Sequence, residues 1–289
     1  VAGPGFGKTT LATNFAHKAR GQFLGVWWLG AENRATLLAN IQKLAGSLDA
    51  SGAQASETEA IALIQRRFRE RRFPYLLVFD NVQGETEKLV VELCNALSEN
   101  VRVLITARSV QTGINATAIE LEKLDLDSAT ELLMKLASNT DRQGARDLAE
   151  ALECLPLAIA NAGPVCEYES FADYQKHLIE NLKRAPGEEG DDPTIYATVI
   201  ASLKAAEDGL RKSKRNVAHV RQIVGVLSYC AAERIPRSLL DSCFPKNTLD
   251  TSDVLQALGK VGLVQAGNLE AGDGERGFSI HRLNQKLIR

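Results

Sequence analysis

Apolar residues along this chain fall into two regimes. Up to about residue 121, short apolar runs alternate with stretches of helical spacing; beyond it, helical spacing dominates. Phe23–Leu29, Pro74–Phe79 and Val101–Ile105 are compact apolar runs and predict buried strands. Ala118–Leu121 predicts a last short strand. Between them, Leu11–Ala16 continues as a helix. Leu37, Leu38, Ile41, Leu44, Ala45 and Leu48 predict another over 34–48, and Ile61, Leu63, Ile64 and Phe68 a third over 57–72. Strands alternating with helices predict a parallel α/β sheet.

From Asp127 the spacing predicts helices at 128–137, 145–152, 155–166 and 171–182, a small bundle. Leu155-Pro156-Leu157-Ala158 stands out within it, because proline suits a helix only in its first turn. Arg184–Pro193, with Pro186, Gly187, Gly190 and four acids, reads as a linker. Helices follow at 194–207, 216–230 and 253–258. A hairpin comes last: Leu263-Val264-Gln265, a glycine-rich turn over Gly267–Gly277, then Phe278-Ser279-Ile280. Helices followed by a two-stranded wing predict a winged helix. The expected domains are a nucleotide-binding α/β domain at 1–124, a helical domain at 125–185 and a winged-helix domain at 193–289.

The nucleotide assignment rests on the opening residues, Val1-Ala2-Gly3-Pro4-Gly5-Phe6-Gly7-Lys8-Thr9-Thr10, read as a phosphate-binding P-loop. Gly3, Gly5 and Gly7 let the backbone turn its N–H groups around phosphate oxygens. The following helix adds unpaired donors and the positive end of its dipole. Lys8 is placed to reach the β and γ phosphates, Thr9 to hold Mg²⁺, and Thr10 to meet the α phosphate. Ala2 stands where the pattern opens with glycine. Asp80 ends the second strand, where an acid holds the Mg²⁺ shell; a capping or turn aspartate is the plainer alternative. Asn81 follows it, and an amide is no general base, so hydrolysis is expected to be slow. Glu32 is a weaker candidate for orienting water. Thr106 and Arg108 end the third strand. Arg108 either reads a γ phosphate or is a surface arginine.

Composition narrows the classes. The chain has 289 residues, 45% of them hydrophobic and 24% charged, with a net charge of −2, which gives no general pull toward nucleic acid or anionic membrane. The helix before the wing carries no Lys or Arg until Lys260, poor equipment for DNA phosphates. Arg211, Lys212, Lys214 and Arg215 read as a solvated loop patch. Trp27 and Trp28 read as core packing at the sheet edge rather than a base-stacking platform. No apolar run has the length of a membrane span, and no signal peptide is visible. Five scattered cysteines with no CxxC pair point to reduced thiols and a cytoplasmic protein. A P-loop follows a central strand, yet only Val1 precedes it here, so an excerpt of a longer polypeptide is expected.

Taken in order, Ala2–Thr10, Leu76–Asn81, Leu104–Arg108, Cys154-Leu155-Pro156-Leu157-Ala158 and Ile280-His281-Arg282-Leu283 resemble NB-ARC proteins. These are STAND-class signalling NTPases of plant disease-resistance, apoptosome and related microbial or fungal receptors. Val26-Trp27-Trp28 and His281-Arg282-Leu283 look most like the microbial and fungal branch, where TPR-type repeats often follow. The resemblance implies an ATP/ADP switch with Mg²⁺, in which Lys8, Thr9 and Asp80 match the Walker residues and Arg108 the arginine that detects the γ phosphate. By the same resemblance Pro156 packs near adenine, and His281 reaches the ADP β phosphate in the resting form. His281 is alternatively a helix cap. Two departures stand out: Cys154 replaces the motif's glycine, and Arg282 stands where plant members have Asp. The resemblance further implies an ADP-bound closed form, an ATP-bound form that self-associates, and effector and sensor domains outside this sequence. An AAA+-like ATP-driven motor and a STAND transcription regulator are the alternatives.

Overall fold

The computed structural model describes residues 1–70, 73–95, 97, 99–109, 116–185, 192–214, 217, 219–232, 234–244, 251–268 and 276–289. The chain divides into two compact units, Val1–Glu122 and Lys123–Arg289. The division expected between 125–185 and 193–289 falls inside the second.

The first unit runs α1 (Lys8–Ala19), β1 (Gly25–Gly30), α2 (Arg34–Leu48), α3 (Glu57–Arg69), β2 (Tyr75–Val82), α4 (Glu87–Asn95) and β3 (Val101–Ala107). The strands form a parallel sheet in the order β1-β2-β3. Gly25 pairs with Tyr75, and Tyr75 with Val101. Strand β2 is apolar from Tyr75 to Phe79 because both of its faces are covered. Its side chains alternate between them. Leu77 and Phe79 pack with Leu37, Ile41, Ile64 and Phe68 of α2 and α3. Leu76 and Val78 pack on the other face with Ala12 of α1, Val26 and Leu104. Trp27 joins the first cluster, while Trp28 on the edge strand is 36% exposed. Asn33 caps α2, and a reciprocal Ser56–Glu59 capping box starts α3.

Two findings differ from expectation in this unit. Helix α4 is added, burying Leu89, Val90 and Leu93. Residues 118–121 form no strand. Their backbone is met at Val1, whose carbonyl accepts from the Leu121 N–H at 2.9 Å and whose amino group donates to the Ile119 carbonyl at 2.6 Å.

The second unit begins with α5 (Leu126–Ala137), α6 (Arg142–Ala151), α7 (Pro156–Ala162), α8 (Phe171–Leu182) and α9 (Pro193–Lys212). Side-chain caps fix four of these starts: Asp125, Asp141, Ser170 and Asp192 accept from backbone N–H groups of the first turn. Pro156 is the first residue of α7. Pro164 bars the helix from the expected end at 166. Next come α10 (Val220–Tyr229), β4 (Ile235–Pro236), α11 (Arg237–Cys243), α12 (Thr251–Lys260), β5 (Gln265–Asn268), β6 (Arg276–Ser279) and α13 (Arg282–Ile288). The strands form an antiparallel sheet in the order β4-β6-β5.

The expected hairpin is therefore shifted and gains a third strand. Leu263 and Val264 do not pair. They are buried, and their N–H groups return to the Leu258 carbonyl at the end of α12. Gly262 makes that reversal at φ 72°, a left-handed conformation that favours glycine. The central part of the linker (186–191), the middle of the glycine-rich turn (269–275), Arg71, Arg72 and Arg215 lie outside the described residues.

A buried polar network crosses this unit. Asn161 of α7 and Asn284 of α13 exchange amide hydrogen bonds at 3.1 and 3.3 Å. Asn161 also donates to the Thr198 hydroxyl at 3.1 Å, and its carbonyl accepts from Ser202 at 3.2 Å, both on α9. Gln285 donates to the Leu227 and Cys230 carbonyls at the end of α10. Every one of these groups finds partners, the condition for burying amides at tolerable cost.

Candidate nucleotide site

The loop ahead of α1 is built by two glycines in the left-handed region, Gly5 at φ 80° and Gly7 at φ 83°. Gly7 is also the N-cap of α1, and no side chain caps that end. The first intrahelical bond runs from the Leu11 N–H to the Gly7 carbonyl at 2.8 Å. The N–H groups of Lys8, Thr9 and Thr10 precede it at the positive end of the helix, the geometry that receives anions. Gly3 lies against the Phe6 ring, 3.0 Å from where a Cβ would stand.

Lys8 folds back over this loop. Its Nζ donates to the carbonyls of Ala2 at 2.9 Å and Gly3 at 2.7 Å. An ammonium has three donors, so one remains. Burial, and then the charge of Arg108, push the Lys8 pKa below the ordinary lysine value, with Asp80 opposing them. Arg108 itself is exposed just past β3. An anion beside Lys8 would relieve both the cost of burying its charge and the repulsion from Arg108.

Asp80 closes the other side. It is 4% exposed at the end of β2. Its Oδ1 accepts from the hydroxyl of Thr9 at 2.8 Å and from the hydroxyl of Thr106 at 2.6 Å. The next residue, Asn81, is left-handed at φ 63°, and the pairing of β2 with β3 slips between Phe79 and Val82. Asparagine is among the few non-glycine residues that enter this region readily. That gives Asn81 a backbone reason to stand where the site would otherwise place a carboxylate. Its N–H donates to the Thr106 hydroxyl at 2.7 Å. Glu32 lies in the turn after β1, where its carbonyl accepts from the Gln83 amide at 3.0 Å.

Lys8, Thr9, Asp80, Thr106 and Arg108 are thus brought together in the first unit. Pro156 and His281 belong to the second. Pro156 opens α7, and His281 is the N-cap of α13, its Nδ1 accepting from the Leu283 N–H at 3.2 Å. The ring proton of neutral His281 then sits on Nε2. Their two helices meet at the Asn161–Asn284 pair. Cys154, which replaces a motif glycine, is left-handed at φ 54°, a conformation that favours glycine. Sequence reading missed the double role of Thr106 and the buried Thr86, whose hydroxyl donates to the Ala31 carbonyl at 2.8 Å and ties the two loops together. A small polar residue closing an apolar strand was the available signal.

Phosphate-seeking geometry at one end of a parallel sheet flanked by helices makes this a P-loop NTPase fold. A family model of the NB-ARC domain matches residues 1–143, and that span belongs to the NB-ARC family. Comparison with curated proteins finds no match. Among solved structures, the chain is similar to a Signal Transduction ATPase with Numerous Domains (STAND) protein with a tetratricopeptide repeat sensor from Pyrococcus horikoshii. The TM-score is 0.61 at 14% identity, over 100% of this chain and 39% of that one. The chain thus spans about two fifths of that protein's length. A Walker-type ATPase of Pyrococcus abyssi aligns at TM-score 0.40 and 13% identity, over 99% of this chain and 89% of that one. The ORC1 protein of Aeropyrum pernix, solved with DNA, aligns at 0.41 and 15%, over 100% and 84%. NB-ARC membership implies nucleotide binding and suggests a nucleotide-dependent switch. Among the described residues no helix is long and apolar enough to cross a membrane.

Proposed function

We propose that this chain is the ATP/ADP-dependent switch of an NLR-like immune or cell-death receptor, resting with ADP and opening to an ATP-bound oligomer. The observation that carries the nucleotide half is the loop turned by Gly5 and Gly7 into the uncapped start of α1, with Lys8 folded back over it onto the Ala2 and Gly3 carbonyls. Lys8 and the N–H groups of the loop and of Thr9 and Thr10 would hold the phosphates. Mg²⁺ fits the donor set: the Thr9 hydroxyl commits its proton to Asp80, which leaves its lone pairs for a cation. The bound cation would supply charge neutralisation at the phosphates. Asp80 holds the Thr9 hydroxyl in place, and Arg108 gives a γ phosphate a charged partner that ADP lacks. Asn81 supplies no general base, which favours slow hydrolysis and a switch over a motor.

The second unit supports the reading from its own structure. Helix α12 followed by the antiparallel β5 and β6, with the earlier β4 added beside β6, supports a winged helix, and α5 to α8 a helical domain ahead of it. With Lys260 as its single Lys or Arg, α12 is ill-suited to DNA. The proposal gives Pro156 the adenine and His281 the ADP β phosphate, toward which an Nε2–H is the donating form. Burial pushes the Cys94 and Cys166 thiols up to about 12, which makes them unreactive.

A nucleotide shifts such a switch only by its differential affinity for the two forms. Light scattering of the purified protein with ADP and with a non-hydrolysable ATP analogue tests this. A larger species with the analogue alone is expected; equal sizes and equal affinities would end the switch reading.

Proton linkage gives an independent test. An anion beside Lys8 favours its charged form, so bound protein keeps a proton that free protein loses below the ordinary lysine value. ADP binding should take up protons at alkaline pH and weaken as pH rises through the lowered pKa. Calorimetry at about pH 9 in two buffers of different ionisation enthalpy should give different heats. Equal heats would remove Lys8 from the phosphates.

A further inference from the structure

We infer that the Thr106 hydroxyl is a positioning group for the cation site, tying Asp80 to the left-handed kink at Asn81. The inference rests on the reading above, in which Asp80 serves Mg²⁺ and nucleotide.

A threonine hydroxyl carries one proton and two lone pairs. The Asn81 N–H donates to Thr106 Oγ1 at 2.7 Å, so that oxygen is the acceptor there. Its single proton then goes to Asp80 Oδ1 at 2.6 Å. Thr9 spends its proton on the same carboxylate oxygen at 2.8 Å. Three elements, the start of α1 and the ends of β2 and β3, therefore converge on one atom. Neither hydroxyl is free to turn without giving up a bond.

The kink makes this arrangement necessary. The register of β2 on β3 slips between Phe79 and Val82, so Asn81 has no regular ladder partner. An unpaired backbone N–H beside a buried carboxylate would be costly. The Thr106 side chain, itself 5% exposed, answers that donor and passes its own proton to Asp80. The backbone strain at Asn81 and the orientation of Asp80 are thereby coupled through one hydroxyl. Strain of this kind, held by its surroundings, is found where geometry matters to function.

The test measures ADP affinity with and without Mg²⁺ in the purified protein; the readout is the ratio of the two. Thr106→Val keeps the side-chain volume but removes the hydroxyl, and should shrink the Mg²⁺ enhancement, the ratio of the two affinities, about 10-fold. Thr106→Ser should restore it. Asn81→Val, which resists a positive φ and leaves the hydroxyl in place, should reproduce the loss, whereas Asn81→Gly should not. The Asn81 pair decides the matter should Thr106→Val fail to fold. A purely structural threonine would lower the melting temperature of Thr106→Val and leave the ratio alone, and that result overturns the inference. A wild-type protein that binds ADP with no Mg²⁺ enhancement overturns both this inference and the reading of the site.

Discussion

Lys8→Ala abolishes nucleotide binding at working concentrations, lowering ADP affinity by about 100-fold or more. The side chain is a cation anchored inside the loop, held there by the carbonyls of Ala2 and Gly3. Removing it leaves phosphate oxygens facing backbone N–H groups and Arg108 only. Stability should change little. The ammonium is already disfavoured by burial and by Arg108, which offsets the two carbonyl bonds lost. The melting temperature of the nucleotide-free protein should therefore move by about 2 °C or less. Calorimetric titration and thermal melting of the same preparation separate the two effects. Wild-type affinity in the variant would place the phosphates somewhere other than this loop.

Gly52→Ala destabilises the first unit strongly, although it lies far along the chain from the P-loop. Gly52 sits in the short turn Ala50–Gln54 that joins α2 to α3, and it is buried. A Cβ there would stand 2.5 Å from the Ala45 carbonyl carbon and 2.7 Å from its oxygen. Those are backbone atoms of α2 and cannot swing aside, so the turn must lift off the helix. Overpacking of this kind costs about 3 kcal/mol, which corresponds to roughly 10 °C in a unit of this size. Gly21→Ala is the control: nothing lies within 4 Å of its added Cβ, and it should melt with the wild type. Equal melting of the two variants would contradict the close packing of α2 against the turn.

The parts of the fold written in local pattern were legible. Strand β2 reads directly because burial on both faces requires an unbroken apolar run, and α2 and α3 because one face of each is buried at helical spacing. The P-loop was legible because glycine is needed at Gly5 and Gly7, where φ is positive. Features set by non-local pairing were not. Residues 118–121 have the composition of a strand but lack a ladder. Leu263 and Val264 have strand residues too, yet core burial after α12 claims them. The two-residue β4 is too short to leave a pattern. At the site, sequence identified Asp80 and noticed Thr106, but the bond joining them depends on a register slip between β2 and β3. Likewise, Asn81 reads in sequence as a missing acid, and in the structure as a residue suited to a left-handed kink.

The central claim is that this chain holds its nucleotide as a switch does. The most direct measurement is the nucleotide carried by the purified wild-type protein, released by heat and separated by chromatography, with steady-state ATP turnover measured alongside. The account predicts one ADP per chain and slow turnover. An empty site that turns over ATP rapidly would contradict it and point to a motor.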